Sequence, residues 1–326
     1  MQLSSPVAIP TRVLRRAPRS VALLTTAKRG WVLSRRFVLV ALALSLLLTA
    51  TFGSAHSVVL AQEATPTAVA PPQDLLPKDA DYGTGQTAKI NGVDIYYEVY
   101  GKGDPVLLLH GGLADGDQWV NVIPTIADAG YQVIVMDSRG HGRSSFDETP
   151  ISYALMASDV LGLMDHLGID TADIVGWSDG AIIGLELAMT HPERLHKVVA
   201  YGANFDPSGV RLDVGQNAYF NAAIAWDAEE YQRVSPAPER WEEFLTNIST
   251  MWATEPNYAE EQLRAITTPV LVLDGAKEEY VDLNQTKLMA CVIPGATLTI
   301  MPDTGHFALF EQPEEFSQIV VDFLRS

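Results

Sequence analysis

A serine flanked by glycines is the strongest chemical signal in this sequence. Ser178 lies at the centre of a Gly-x-Ser-x-Gly motif that extends from Gly176 to Gly180. The short apolar run before the motif predicts a strand, and the Ala- and Leu-rich segment after it predicts a helix. A tight turn between the two forces the serine into a strained backbone conformation and raises its hydroxyl above the sheet edge. The pattern therefore predicts a serine nucleophile.

The same turn provides groups that could hold a developing negative charge. The amides that follow Ser178, beginning with that of Asp179, lie at the N-terminus of the predicted helix, where unpaired N–H groups and the helix dipole favour an anion. A glycine turn follows another apolar run, 106–109, and its backbone could supply a second donor. We therefore predict an oxyanion hole formed by Asp179 together with Gly112 or Leu113.

A histidine after the last predicted strand is the candidate base. The hydroxyl of Ser178 is a weak nucleophile at neutral pH until a base takes its proton, and the neutral imidazole of His306 has suitable basicity. The imidazolium that results requires a buried carboxylate to fix its tautomer and to stabilise its charge. An acid in the loop after an earlier strand, Glu278 or its neighbour Glu279, could provide it.

Two other acidic or histidine-containing loops are interpreted as structural. The loop 137–144 contains Asp137 and His141, but hydrogen bonds of its Asp and Arg side chains are expected to hold the turn. Asp303 is close to His306 in sequence, yet its position at the end of a strand indicates an acid that stabilises its own loop.

The elements that position these residues alternate between strand and helix patterns from about residue 85 onwards. Asn91-Gly92 is a hairpin signal, so the sheet is expected to begin with an antiparallel pair. The later strands are continuous apolar runs, which are typical of parallel strands buried on both faces. Between them, segments such as 153–167 have helical spacing. We predict an α/β fold with a doubly wound, mostly parallel sheet.

This alternation breaks between about residues 204 and 264. The segment is helical, acidic and rich in aromatic residues. An insertion after the carboxyl end of a strand lies where open α/β sheets bind their ligands, so we predict a helical lid over the site. Most of its aromatic side chains are expected to pack the insertion onto the body, and one or two to line a pocket.

The N-terminal region differs in composition from the rest. Residues 1–61 contain eight Lys and Arg, no acidic residue and the apolar run 37–52. We predict a signal peptide, with an uncleaved membrane anchor as the alternative. Residues 34–39 resemble a twin-arginine export signal, which implies a bacterial protein. Residues 62–80 are interpreted as a disordered Pro-, Thr- and Ala-containing linker, and 81–326 as an exported globular domain, either secreted or membrane-anchored.

The charge of the predicted domain excludes several partners. Beyond residue 61, 14 Lys and Arg stand against 40 Asp and Glu, a net charge of −26. Such a domain is unsuited to nucleic acid, and we expect membrane contact only through an uncleaved anchor. The single cysteine, Cys291, permits neither a disulfide framework nor a thiolate zinc cluster, and we expect it on the apolar face of a helix. We predict no metal and no organic cofactor.

The order of the candidate residues, serine, then acid, then histidine, resembles that of the α/β-hydrolases. The resemblance extends over nearly all of residues 85–326. It rests on His110-Gly111, the serine motif, the Gly275 loop and Gly305-His306. In similar family members the acid is an Asp three residues after the glycine that ends the strand. The resemblance therefore implies that Glu278 orients His306, with Glu279 as the alternative.

One subgroup of that family is similar in more detail. Residues 176–180 and 201–204 resemble those of biphenyl hydrolase-like esterases of the valacyclovir hydrolase type, which cleave α-amino acid esters. In that subgroup the acid after the nucleophile holds the ammonium group of the substrate, and the resemblance implies this role for Asp179. A carboxylate there would bind a cation through a charge-assisted hydrogen bond. The alternative is that Asp179 only caps the helix.

We predict a serine hydrolase that cleaves small-molecule carboxylic esters through an acyl-enzyme, with α-amino acid esters as a candidate substrate class. Ser178 argues against the dehalogenases and epoxide hydrolases that resemble this chain, because they use aspartate at this position. Leu113 argues against proline iminopeptidases, which usually have proline there. The alternatives are a cofactor-free perhydrolase of the haloperoxidase type and a non-catalytic binding protein on the same fold.

Overall fold

The computed structural model describes residues 85–326, apart from the side chain of Tyr219. In this part of the chain eight strands form one sheet in the order β1-β2-β4-β3-β5-β6-β7-β8. The strands are β1 (Gln86–Ile90), β2 (Val93–Gly101), β3 (Asp104–Leu109), β4 (Tyr131–Met136), β5 (Ala172–Trp177), β6 (Leu195–Tyr201), β7 (Val270–Gly275) and β8 (Thr297–Met301). β2 pairs antiparallel with β1 and with β4, and all other pairs are parallel.

Nine α-helices connect or flank these strands within residues 85–326. They are α1 (Ile123–Asp128), α2 (Tyr153–Leu167), α3 (Asp179–Thr190), α4 (Ala218–Val234), α5 (Trp241–Trp252), α6 (Glu260–Arg264), α7 (Leu283–Val292), α8 (Ala308–Glu311) and α9 (Pro313–Arg325). The predicted hairpin at Asn91-Gly92 and the predicted mostly parallel, doubly wound sheet are confirmed.

The sheet is buried between two layers of helices. Successive side chains of a strand point to opposite faces. In β3, Leu107 and Leu109 join a core with residues of α2 and α3, whereas Val106 and Leu108 join a core with residues of α1 and α9. All four leucine and valine side chains are fully buried. Burial on both faces explains why the central strands are continuous apolar runs.

The chain reverses its direction of travel across the sheet at β3. β4 pairs on one side of β3 and β5 pairs on the other. The carboxyl ends of β3 and β5 therefore flank the kind of crevice in which open α/β sheets bind ligands. The predicted oxyanion turn follows β3, and Ser178 follows β5.

The insertion between β6 and β7 is helical, and contains α4, α5, α6 and three short 3-10 turns. Three of its aromatic side chains pack on one another. Tyr231 of α4 stacks on Phe244 of α5 with ring centroids 5.2 Å apart, and Trp241 lies 5.2 Å from Tyr231. Phe244 also contacts the ring of His141 in the body, with centroids 4.7 Å apart. These contacts fix the insertion onto the body.

The expectation that Cys291 lies on an apolar helix face is wrong. Cys291 is exposed on α7. The buried positions of this helix include Gln285, Met289 and Val292, which recur at helical spacing. Cys291 is two residues from Met289, about 200° around the helix axis, and so faces away from the sheet.

The predicted leader 1–61 and linker 62–80 lie outside the described residues. From residue 85 onwards, no helix combines the length and apolar character needed to cross a bilayer.

Candidate active site

The serine turn has the strained geometry that the motif predicts. Ser178 has φ 54° and ψ −118°, in a region that residues other than glycine rarely occupy. Its amide donates to the carbonyl of Tyr201 at 2.8 Å, which ties the turn to β6. A Cβ atom on Gly180 would lie 2.0 Å from the carbonyl oxygen of Leu109, and one on Gly176 would lie 2.3 Å from that of Gly180. Glycine at both positions allows the helix and strand to approach this closely.

The three predicted oxyanion residues lie together beside this turn. Asp179 is the first residue of α3, so its amide has no carbonyl partner within the helix. Leu113 has φ 64°, and no described residue accepts a hydrogen bond from the amide of Gly112 or Leu113. A Cβ atom on Gly112 would lie 2.5 Å from Asp179 Oδ2, so the two turns are in contact. Their part in catalysis stays a prediction.

The histidine and the acid that the sequence nominates are in direct contact. His306 Nδ1 lies 2.8 Å from Glu278 Oε2, and the two side chains are 3% and 0% exposed. The other carboxylate oxygen, Oε1, accepts the backbone amides of Tyr280 at 2.7 Å and Val281 at 3.1 Å. The backbone therefore holds the carboxylate in place, and one oxygen is left for the imidazole.

Burial shifts the pKa of each member of this pair towards its neutral form. It lowers the pKa of His306 to about 4, although nearby carboxylates oppose the change, so the ring is neutral at neutral pH. It raises the pKa of Glu278 to about 7, against the hydrogen bonds that the carboxylate accepts. A neutral imidazole is the form that can take a proton from a hydroxyl.

His306 is enclosed by groups that fix its ring. Tyr280 stacks on the imidazole with centroids 4.4 Å apart and an interplanar angle of 18°. Trp177 Nε1 donates to the carbonyl of His306 at 2.8 Å. On another side lies Gly202, where a Cβ atom would be 2.9 Å from His306 Cε1 and 3.0 Å from Nδ1. The ring has little room to turn away from Glu278.

Glu279 contacts the backbone of His306 rather than its ring. Its Oε2 accepts the His306 amide at 2.8 Å. Glu311 accepts the amides on either side, from Gly305 at 2.9 Å and from Phe307 at 3.1 Å. Of the two neighbouring glutamates, Glu278 is the one placed to orient the imidazole.

Asp179 presents its carboxylate to the crevice and does not cap the helix through its side chain. It is 6% exposed. Its Oδ1 accepts the hydroxyl of Tyr153 at 2.8 Å, and the indole Nε1 of Trp252 lies 3.1 Å from Oδ1 and 2.9 Å from Oδ2. Burial raises the pKa of Asp179 to about 6, and these two hydrogen bonds oppose the rise. Among residues 85–326 it forms no ion pair.

These residues surround one cavity of about 710 Å³, to which the body and the insertion both contribute. Most of the wall is apolar. The carboxyl and imidazole side chains in the wall are those of Asp179, Asp227, Glu229, Glu255 and His306. No Lys or Arg occurs among the described residues of the wall, so its fixed charge is negative.

Comparison with known proteins identifies the family. Residues 104–244 match the sequence profile of the α/β hydrolase fold. A 2-hydroxy-6-oxo-6-phenylhexa-2,4-dienoate hydrolase of Comamonas testosteroni is 30% identical over 281 residues, which cover 74% of this chain and 96% of the relative. The chain belongs to the α/β-hydrolase fold family.

Further relatives of this α/β-hydrolase agree. A Caulobacter sp. (strain K31) protein that is provisionally named carbamate hydrolase RutD is 31% identical over 271 residues, covering 73% of this chain and 98% of the relative. A solved structure of Est816, described as an N-acyl homoserine lactone degrading enzyme, has 29% identity and a TM-score of 0.58, and covers 73% of this chain and 100% of Est816. The protein is accordingly a hydrolase.

The loop 137–144 of this α/β-hydrolase has structural contacts, as its sequence indicates. Asp137 accepts the amide of Gly116 at 2.8 Å through one oxygen and that of Arg143 at 2.7 Å through the other. Asp303 is exposed and pairs with Lys277 at 2.9 Å. Both carboxylates thus bind partners other than the His306 ring.

A group of three acids lies elsewhere in the described chain. Ligand atoms of Asp115, Asp117 and Glu230 lie within 4.8 Å of one another, a spacing that would suit a cation. Two of the three acids already pair with arginines: Arg143 pairs with Asp117 at 2.7 Å, and Arg233 pairs with Glu230. The cluster is therefore a charge network that lies between the body and α4.

Sequence reasoning missed one acid behind the histidine. Asp274 is fully buried, shares a side-chain hydrogen bond with Glu278, and accepts Thr286 Oγ1 at 2.5 Å and the amide of Gly275 at 2.9 Å. Burial, and then the charge of Glu278, raise the pKa of Asp274 well above its usual value. An acid at the end of a buried apolar strand, Val-Leu-Val-Leu-Asp, is the signal that could have found it.

Proposed function

We propose that this hydrolase cleaves carboxylic esters through a Ser178 acyl-enzyme, and that it prefers esters with a free α-amino group. The observation that carries the proposal is that His306, held at 2.8 Å by Glu278, lines the same cavity as the strained Ser178. Such a set of groups suits attack on a carbonyl carbon.

In the proposed reaction, Ser178 Oγ attacks the ester carbonyl while His306 Nε2 takes its proton. Glu278 stabilises the imidazolium through Nδ1. The amide of Asp179 and that of Gly112 or Leu113 hold the oxyanion. His306 then gives the proton to the departing alcohol, and water attacks the acyl-enzyme with the same histidine as base. The proposed reaction needs no metal and no organic cofactor.

The preference for an α-amino group rests on the surroundings of Asp179. Its carboxylate is buried and lines the cavity, and its hydrogen-bond donors among residues 85–326 are the neutral groups of Tyr153 and Trp252. A buried carboxylate without a cation is unfavourable. An ammonium group on the substrate would supply the missing positive charge through a charge-assisted hydrogen bond. Since the other acidic side chains of the wall are not balanced by any Lys or Arg among its described residues, the cavity also favours a cation over an anion.

The named activities of the relatives are compatible with an ester. One relative is named for a dienoate, one for a carbamate, and Est816 for a lactone, which is a cyclic ester. These substrates have a carbonyl carbon that a serine could attack. The lactone supports the ester as the substrate class for this chain.

A matched pair of esters tests the proposal. We would measure kcat/KM for valine methyl ester and for N-acetyl-valine methyl ester, which differ in charge but share the scissile bond. Wild type is expected to prefer the free amine at least tenfold, about 1.4 kcal/mol. In Asp179→Asn that ratio should approach one, whereas Glu255→Gln, which also removes an acid from the wall, should retain it.

Two results would count against the proposal. Equal rates for both esters, with a ratio that Asp179→Asn does not change, would make the enzyme a general esterase. If neither ester is hydrolysed, the ester itself is the wrong substrate class. Peracid formation from the same methyl esters and hydrogen peroxide would then be measured, to test the perhydrolase alternative.

A further inference from the structure

Asp227 is a second buried acid in the wall of the cavity, and the reaction above does not use it. It lies on α4 of the insertion and is 8% exposed. Its Oδ1 accepts Gln118 Nε2 from the body at 3.2 Å. Both residues line the cavity that contains Ser178 and Asp179.

The carboxyl group of Asp227 has no ion-pair partner in the described chain. Glu230, one turn further along α4, pairs with Arg233, but Asp227 forms no ion pair with any residue from 85 to 326. Burial raises the pKa of Asp227 to about 8, the hydrogen bond from Gln118 opposes that rise, and the charge of Glu230 adds to it. A cation that entered the cavity beside Asp227 would displace its proton and form an ion pair.

We propose that Asp227 and Gln118 form a second polar subsite, which binds a second cationic group of the substrate in addition to the α-ammonium group at Asp179. This inference rests on the proposed function and narrows its substrate class to dicationic aminoacyl esters. The second cation belongs either to the amino acid side chain, as in lysine, or to the alcohol, as in choline. No Lys or Arg lies in the described wall of the cavity, so no fixed positive charge opposes the entry of either cation.

Binding to the Ser178→Ala protein tests the subsite without hydrolysis. Dissociation constants would be measured by calorimetry for two pairs of ligands that match in shape. The first pair is lysine methyl ester and 2-aminoheptanoate methyl ester, in which a methyl group replaces the side-chain ammonium. The second pair is alanine choline ester and alanine 3,3-dimethylbutyl ester. The two pairs distinguish a cation on the acyl side from one on the alcohol side.

We expect the charged member of one pair to bind at least tenfold more tightly. Asp227→Asn in the same background should reduce that ratio to threefold or less. Glu229→Gln, which removes an exposed acid from the same helix and the same wall, should leave the ratio within twofold. Ratios measured on one protein cancel any loss of folded material.

The subsite is wrong if neither charged ligand binds more tightly than its neutral partner, or if the preference survives Asp227→Asn. Hydrolysis of alanine methyl ester by wild type is measured separately. Its absence would overturn the proposed function, while the binding ratios would still decide whether Asp227 receives a cation.

Discussion

Glu278 faces His306 through a single carboxylate oxygen. Oε2 lies 2.8 Å from His306 Nδ1, while the backbone amides of Tyr280 and Val281 hold Oε1. Its neighbour Glu279 accepts only the backbone amide of the same histidine. Two adjacent residues of identical type therefore contact different parts of one residue, and they form a natural pair of variant and control.

The first prediction concerns this pair. Glu278→Gln should lower kcat for an activated ester by about 10²–10⁴-fold with little change in KM, because the imidazolium loses the charge that stabilises it. Glu279→Gln retains an oxygen acceptor for the His306 amide and should stay within about tenfold of wild type. Steady-state kinetics of both variants check this, and equal losses would contradict the assignment of Glu278.

The fold and the order of the site residues could be predicted from the sequence because both depend on local patterns. Continuous apolar runs predict parallel strands, and the carboxyl ends of parallel strands meet at one sheet edge. For this reason Ser178, Glu278 and His306 could be expected together, although 128 residues separate the first from the last. The apolar spacing of 153–167 likewise predicts a helix, and the observed helix has the same bounds.

The lining of the cavity could not be predicted in the same way. Tyr153 begins a helix whose apolar spacing marks it only as core, and Trp252 is one of several aromatics in the insertion. Their contact with Asp179 depends on how α5 lies over the body. The position of Asp227 in the wall could not be predicted for the same reason, since helical spacing does not tell which side chains of α4 face the cavity. Long-range packing, rather than local propensity, decides these positions.

A second prediction tests the close approach of Gly202 to the histidine. Gly202 and Gly168 both have a positive φ, of 64° and 70°. An added Cβ would lie 2.9 Å from His306 at Gly202 but meets no atom within 4 Å at Gly168. Alanine at either position should cost about 1 kcal/mol of stability through backbone strain. Only Gly202→Ala should also lower kcat, by at least tenfold, because it displaces the imidazole.

Thermal unfolding and kinetics of the two glycine variants check this comparison. If Gly168→Ala loses as much kcat as Gly202→Ala, the loss reflects general destabilisation and not the position of His306. If Gly202→Ala retains full activity, the contact with the imidazole is unimportant.

A third prediction concerns the pH dependence of hydrolysis. Burial raises the pKa of Glu278 to about 7 and lowers that of His306 to about 4. As the pH falls below 7, Glu278 takes up a proton and no longer stabilises the imidazolium; near pH 4, the imidazole itself is protonated. For an N-acetylated ester, kcat/KM should therefore fall as the pH falls through about 7, and it should level off only well above that pH. A profile that is flat from pH 4 to 7 would contradict the proposed pair.

The ammonium preference should have its own pH profile, which forms the fourth prediction. The ratio of kcat/KM for free and N-acetylated ester cancels the titration of the triad. It should rise as the pH rises through about 6, where Asp179 ionises, and fall above about 8, where an α-amino group loses its proton. The other groups that face the Asp179 carboxylate are Tyr153, Trp252 and His306.

Removing one donor should move the acid side of that profile. Trp252→Phe deletes an N–H that stabilises the ionised carboxylate, so the pKa of Asp179 should rise further and the preference should appear at higher pH. Trp226→Phe is the matched control, because Trp226 lines the same cavity but has no hydrogen bond to Asp179. Equal shifts in both variants, or none in either, would show that the indole of Trp252 does not set this pKa.

The most direct test of the account is covalent labelling of the folded protein with a fluorophosphonate, read by intact-protein mass and by peptide mapping. The account predicts one adduct, located on Ser178, that is absent from Ser178→Ala and forms at least a hundredfold more slowly in His306→Ala, because the hydroxyl then lacks its base. Folding of each variant would be verified by circular dichroism. Absence of labelling in folded wild type, or an adduct that persists in Ser178→Ala, would contradict the claim that Ser178 is the nucleophile.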